Sequence, residues 1–254
     1  MKIDDLEGKS VLVTGASTGI GAAVARAFAE QGAQVAIHCN ASTGAAQALA
    51  DALRAQGRRA FVLQADLARR GAAAGVVNEA AALLGGLDIL VNNAGSLIAR
   101  RPFLEADDAL VDAVFDLNLR AVISGCQAAV PHMARRDGGA IINVGSIAAV
   151  DGGGPGAGFY AAAKASIHSL TRHLARDLAG RNIRVNAVAP GVIATPFHAA
   201  TPPERMDAMR KAVPMGRVGE PGDCVGAFLF FASAQLSGYV TGQTLHVNGG
   251  QLMV

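Results

Sequence analysis

Cysteine is scarce in this chain of 254 residues: Cys39, Cys126 and Cys224 are odd in number and far apart. They support neither a disulfide framework nor a zinc site, and they fit a reducing, cytoplasmic compartment. The six histidines are scattered without metal-site spacing, so no metal is expected. Charge of one sign is also lacking. The 22 Lys and Arg nearly balance the 20 Asp and Glu, and the arginines form no basic run. A net charge of +2 argues against a nucleic-acid partner and favours small-molecule chemistry. No uninterrupted apolar run is long enough to cross a bilayer, and residues 1–7 lack the apolar core of a signal peptide, so no membrane partner is expected. No linker or low-complexity stretch interrupts the chain, and at 51% hydrophobic residues it can bury a substantial core. One domain over residues 1–254 is expected.

Another absence is local. From Cys224 to Val254, 31 residues pass without Asp, Glu, Lys or Arg, which predicts that much of this tail is buried. Phe228 and Phe231, one helical turn apart, read as core packing or as part of an interface, and the missing charge beyond them points towards subunit contacts.

Strand-like runs occur at Val11–Val13, Val35–His38, Ala60–Gln64, Ile89–Val91, Ala140–Val144, Arg184–Val188 and Thr244–Val247, mostly separated by helical stretches. The alternation predicts an α/β fold with a parallel, doubly wound sheet. Runs without polar alternation suit strands covered by helices on both faces, and such sheets bind ligands beyond their carboxyl ends. Pro131 falls in the helical pattern from Ala121 to Arg136 and predicts a kink.

Two local patterns carry chemistry. In Tyr160-Ala161-Ala162-Ala163-Lys164 a phenol and an ammonium stand four residues apart, behind the loop Gly152-Gly153-Gly154-Pro155-Gly156. Ala163, Ile167, Leu170, Leu174 and Leu178 recur at intervals of three and four, so the segment is helical and the pair shares one face near its start. A free phenol has a pKa of ~10, and lowering it by roughly three units takes about 4 kcal/mol of differential interaction, which a neighbouring cation can supply. Taken alone, a pair at this spacing is more often a solvated helix face than a catalytic dyad. Tyr239 is the only other tyrosine, with no lysine nearby.

The second pattern is Thr14-Gly15-Ala16-Ser17-Thr18-Gly19-Ile20-Gly21, which follows the strand Ser10-Val11-Leu12-Val13 and opens a helix with Ile20, Val24, Ala27 and Phe28 on its apolar face. Glycines there let the backbone approach a ligand and leave amides free for a phosphate. The spacing differs from the usual dinucleotide fingerprint, with three residues rather than one between the first two glycines.

Gly15 to Gly21, Asn92-Asn93-Ala94-Gly95, Ser146, and Tyr160 with Lys164 occur in the order that characterises the short-chain dehydrogenase/reductase family, which this chain resembles. The likeness is to its classical type, similar to 3-oxoacyl-carrier-protein reductases. It extends to Asn118, Pro190-Gly191 and Asn248-Gly249-Gly250, and so covers nearly the whole chain. It implies a single Rossmann-type domain, a seven-stranded sheet in the order 3-2-1-4-5-6-7, and a homotetramer paired through the C-terminal region.

The resemblance also implies roles. Tyr160 would exchange a proton with the substrate oxygen while hydride passes to or from a nicotinamide. Lys164 would lower the phenol's pKa and hold the nicotinamide ribose, Ser146 would hold the substrate oxygen, and Asn118 would anchor a water in the proton relay. Thirteen residues separate Ser146 from Tyr160, where twelve is common in the family, so either the glycine loop absorbs an insertion or the serine is displaced. Cofactor contacts would come from Gly15, Ser17, Thr18, Gly19, Ile20 and Gly21, from Asn93, Ala94 and Gly95, and from Tyr160 and Lys164. Pro190, Gly191, Ile193 and Thr195 would complete the nicotinamide side. Asp66 would touch the adenine with Leu67 beside it; Asp66 also reads as a helix N-cap.

Cofactor choice turns on His38-Cys39-Asn40-Ala41-Ser42. No carboxylate stands there to meet a ribose diol, and Asn40, Ser42 and Thr18 can donate to a 2′-phosphate, although no arginine joins them. NADP(H) is favoured, with NAD(H) still open. Residues 192–216, rich in Pro and Met, match the family's substrate lid; Met206 and Met209 read as lining or as packing. Arg135, Arg136, Arg172 and Arg176 read as solvated helix faces or as a docking site for an acidic carrier protein, which keeps a carrier-protein thioester among the small-molecule carbonyl or alcohol substrates. The rival reading is a catalytically idle, nucleotide-binding scaffold, against which stand the four retained residues Asn118, Ser146, Tyr160 and Lys164.

Overall fold

Seven strands form one sheet in the computed structural model, which describes residues 2–199 and 201–254. They are β1 (Ser10–Val13), β2 (Gln34–Cys39), β3 (Ala60–Gln64), β4 (Ile89–Asn92), β5 (Gly139–Val144), β6 (Ile183–Pro190) and β7 (Thr244–Val247). Every pairing is parallel, in the order β3-β2-β1-β4-β5-β6-β7. Parallel neighbours need long crossovers, and helices supply them. These include α1 (Gly19–Glu30), α2 (Thr43–Ala55), α3 (Ala72–Leu84), α4 (Asp108–Phe115), α5 (Ala121–Ala134), α6 (Ala148–Asp151) and α7 (Gly158–Leu178). Towards the C-terminus lie α8 (Pro203–Lys211), α9 (Pro221–Ala232) and α10 (Ala234–Ser237).

The strand period of two divides the core into two layers. Val11, Val13, Val35, Ile37 and Ile142 face one way, against Phe28 of α1, Leu53 of α2 and Phe228 of α9. Leu12, Ala36, Leu90, Ile141 and Val185 face the other way, against Val77 of α3, Met133 of α5 and Ile167 of α7. Phe228 and Phe231 are fully buried, so their core reading holds. The strands carry little polar alternation because both faces are covered.

Buried amides tie the layers together beneath the catalytic candidates. Asn92 of β4 donates to Asn143 Oδ1 of β5 at 2.9 Å, and Asn143 donates to Thr171 Oγ1 of α7 at 3.0 Å. This chain fixes the rotation of α7 on the sheet.

Two expectations need correction. The charge-free tail is not mostly buried within the chain: Tyr239, Leu245, Met253 and Val254 are exposed. The reason is topological, since only the inward side of α9 meets the core and β7 is an edge strand with one neighbour. Asp66 is not a helix N-cap. Its Oδ1 accepts from Ala68 N at 3.0 Å in a turn, and α3 starts only after Gly71, whose φ of +83° is left-handed. Pro131 lies near the end of α5, which continues to Ala134.

Candidate active site

The sheet order reverses direction at β1, where β2 lies to one side and β4 to the other, and a crevice opens at the carboxyl ends there. The cleft has a volume of about 700 Å³ and is walled by residues that follow β1, β2, β3, β4, β5 and β6.

The floor at β1 is held by backbone and side-chain bonds. Thr14 Oγ1 accepts from Asn93 N and Ala94 N, both at 3.0 Å, and Asn93 Nδ2 donates to Thr14 O and Gly15 O. His38 Nδ1 accepts from Gly15 N at 3.1 Å, and its Nε2 bonds Ala65 O at 3.0 Å. Burial pushes the His38 imidazole below its usual range and keeps it neutral, as those two bonds require. Gly21 seals the turn onto α1. A β-carbon there would stand 2.3 Å from Gly15 O and 2.5 Å from Asn93 Nδ2, so no side chain fits.

No side chain caps the first turn of α1, and its Gly19, Ile20 and Gly21 line the cleft with Gly15, Ser17 and Thr18. Free amides at a helix N-terminus and a glycine cradle suit a pyrophosphate. Asn40, Ser42 and Leu67 line the same end of the cleft. Asp66 stands outside this wall.

At the other end, α7 presents Tyr160 and Lys164 one turn apart, as their spacing predicts. Ser146, just beyond β5, shares the cleft wall with Tyr160 and favours the charged form of its phenol, and its Oγ accepts from Ala148 N at 3.1 Å. The extra residue between them is therefore absorbed by the loop, where Gly152, Gly153 and Gly156 all have positive φ. Lys164 is buried and its Nζ donates to Val144 O at 2.7 Å. Burial lowers its ammonium to about 8.

Asn118 is wholly buried, and it sits in a π-helical turn, Asp116–Arg120, that joins α4 to α5. Its Nδ2 donates to Ser96 O and Val114 O, each at 2.8 Å, and its Oδ1 accepts from Ser96 N at 3.1 Å. It lies behind the Asn93–Gly95 segment rather than on the cleft wall. Of the proposed site residues only Asn118 and Asp66 are off the lining; Pro190, Gly191, Ile193, Thr195, Ala94 and Gly95 are on it.

The expected lowering of the Tyr160 pKa by Lys164 is not seen. Burial pushes the phenol up to about 12, opposed by Ser146. Lys164 Nζ is 5.6 Å from the ring centroid and is directed to the Val144 carbonyl. In this arrangement the phenol holds its proton, which is the state that donates to a carbonyl.

Some residues take roles their motifs did not assign. Thr14 opens the glycine motif and His38 the segment after β2, and both prove to be hydrogen-bonding anchors of the cleft floor. Arg100 lines the cleft from a loop outside every motif, whereas Phe197, His198 and Arg205 line it from residues 192–216, the expected lid. Phe197 packs on Tyr160 with ring centroids 5.6 Å apart. Met209 lines the cleft; Met206 is absent from its wall. Arg136 is held by Asp88, with Nε and Nη2 donating at 3.2 and 3.1 Å, so it is no free helix-face charge.

Fold and cleft together define a doubly wound dinucleotide-binding protein. Residues 15–251 match the family described as Enoyl-(Acyl carrier protein) reductase. The chain is 41% identical over 249 residues to the 3-oxoacyl-[acyl-carrier-protein] reductase FabG of Staphylococcus aureus, covering 96% of this chain and 98% of that protein. It is 39% identical over 253 residues to the 3beta-hydroxysteroid dehydrogenase 1 of Eggerthella lenta, with 98% and 96% covered. Among solved structures, a blue fluorescent protein from a metagenomic library in complex with NADPH superposes with a TM-score of 0.92 at 39% identity, covering 98% of this chain and all of that one. The NADH-dependent reductase A1-R′ responsible for alginate metabolism gives 0.90 at 37%, covering 99% and 100%. The chain belongs to the short-chain dehydrogenase/reductase family, and it is an oxidoreductase acting on CH–OH and C=O groups.

Proposed function

We propose that the protein interconverts a carbonyl and a secondary alcohol, with Tyr160 as the proton-exchanging group and NADP(H) as preferred partner. The observation that carries this reading is the convergence of Ser146 and Tyr160 on the cleft wall, with the Lys164 amine one turn behind. The nicotinamide cofactor, when bound, supplies or accepts the hydride. Ser146 orients the substrate oxygen towards the phenol, Tyr160 gives that oxygen its proton, and Lys164 is the buried cation from which the proton is restored. Asn118 fixes Ser96 and the turn in front of Lys164, and so acts as a positioning residue.

NADP(H) preference is supported by Asn40, Ser42 and Thr18 at the cleft and by the absence of a carboxylate from residues 38–42. The neighbour solved with NADPH agrees with it, whereas the NADH-dependent neighbour keeps NAD(H) in play. Residues 192–216 form the substrate lid in this reading, supported by Phe197 over Tyr160 and by Met209 on the wall. A β-ketoacyl carrier-protein thioester is one substrate supported by the FabG relative, and a 3-hydroxysteroid or its ketone is supported by the Eggerthella one. The uncharged, exposed tail supports a homotetramer, and the three buried, unpaired thiols support a reducing cytoplasm.

The test is NADPH oxidation against a carbonyl panel that includes a β-ketoacyl thioester, comparing native protein with Tyr160→Phe. Turnover should fall by ~10² to ~10⁴ while NADPH binding persists. Undiminished turnover would remove Tyr160 from the chemistry.

A further inference from the structure

The substrate side of the cleft holds two guanidinium groups that form no ion pair among the described residues. Arg100 lies on the loop after β4 and Arg205 on the first turn of α8; both are half-buried and line the cleft. They meet over the glycine loop. Arg100 Nη1 donates to Pro155 O at 3.1 Å. Arg205 Nη2 lies 2.6 Å from where a β-carbon at Gly154 would stand, so a larger residue there would displace the guanidinium. The run of glycines before α7 thus provides a flat bed for the arginines as well as slack for the extra residue.

Among the described residues neither arginine forms an ion pair. Asp151 is the acidic residue on the described cleft wall, and its Oδ1 accepts from Gly153 N at 2.8 Å. Burial lowers the Arg100 pKa, and Arg205 lowers it further. His198, on the same wall, is lowered by burial and then by both arginines. Like charges held together and partly out of water are unfavourable until an anion joins them, and the planar fork of Arg matches carboxylate and phosphate oxygens.

We propose that Arg100 and Arg205 form an anion-binding subsite, so that the carbonyl substrate carries a carboxylate or phosphate group while its carbonyl faces Tyr160. The subsite rests on the reading of Tyr160 as the proton-exchanging residue. Phe197 connects the two, packed on Tyr160 at 5.6 Å and on His198 at 5.2 Å between ring centroids, so one apolar step separates the phenol from the basic wall. A neutral ketone would leave both guanidinium groups unpaired.

Two matched pairs test this: acetoacetate against its methyl ester, and dihydroxyacetone phosphate against dihydroxyacetone. The native protein should prefer the charged member of one pair by about tenfold or more in kcat/KM, through KM, as a charge-assisted contact provides. Which pair shows it tells carboxylate from phosphate. Arg205→Met and Arg100→Met should each shrink that preference by about tenfold, and Arg205→Lys should restore part of it. A preference for the neutral members, or an equal loss on both members in the variants, overturns the subsite. If no carbonyl turns over, calorimetric titration of malonate and of methylphosphonate in the presence of NADPH decides it. Binding that disappears in Arg205→Met upholds the subsite while the catalytic reading fails, and no binding to the native protein overturns the subsite.

Discussion

Behind Lys164, one further turn along α7, His168 is buried against Gly145 with His246 of β7 edge-on to it at 6.1 Å. Burial, then His246, Arg172 and Lys164 push its pKa down to about 4. An unfolded histidine titrates at about 6.5, so between these values the unfolded chain binds the extra proton. The native state is therefore favoured above pH 6.5 and loses stability as pH falls from there towards 4, by roughly 3 kcal/mol in all. Denaturant unfolding at pH 7.5 and pH 5 should show this loss, and His168→Leu should flatten it. An equal pH dependence in the variant would clear His168 of the effect. The sequence does not show this residue's situation: His168 is one more polar letter in a helix whose apolar stripe passes through Ile167. Tyr160 and Lys164 were legible because helical spacing alone sets them together. Their electrostatics were not, because the Val144 carbonyl that draws in the amine comes from a distant strand.

At the scale of elements, the junction of β1 with α1 is the most constrained. Gly21→Ala would press a methyl group onto a backbone oxygen and onto the Asn93 side-chain amide, which two hydrogen bonds hold in place. Overpacking of this kind costs typically ~1–3 kcal/mol and should tilt α1 away from the cleft. Fluorescence titration should show NADPH affinity reduced by about tenfold or more; native affinity would contradict the assigned cradle. The glycine turn was readable because backbone approach demands a residue type. Arg100 and Arg205 were not, since a loop and a short helix bring them together across a hundred residues of chain. The π turn at Asn118 was hidden for a related reason: it runs straight into the helical pattern that begins at Ala121, and the extra residue per turn leaves no compositional trace.

Across the whole molecule, all seven strands lie where the apolar runs predict, and their order is the one the family resemblance implied, which the runs alone do not specify. The tail is different. Its lack of charge was legible, but whether it faced this chain's core or another surface depended on which strand lies at the edge. Tyr239, Leu236, Leu245 and Met253 are exposed along a segment that carries no charged residue of its own to solvate them. Light scattering at micromolar concentration should find a homotetramer, and Leu245→Lys should shift it to smaller species; a monomeric native protein would refute this. Hydride exchange assisted by Tyr160 is tested most directly by reducing a carbonyl with NADPH deuterated at C4 and weighing the alcohol product. Deuterium on the carbinol carbon, delivered by Tyr160→Phe at least ~10²-fold more slowly, is the predicted result. An unlabelled alcohol, or a variant as fast as the native protein, would contradict it.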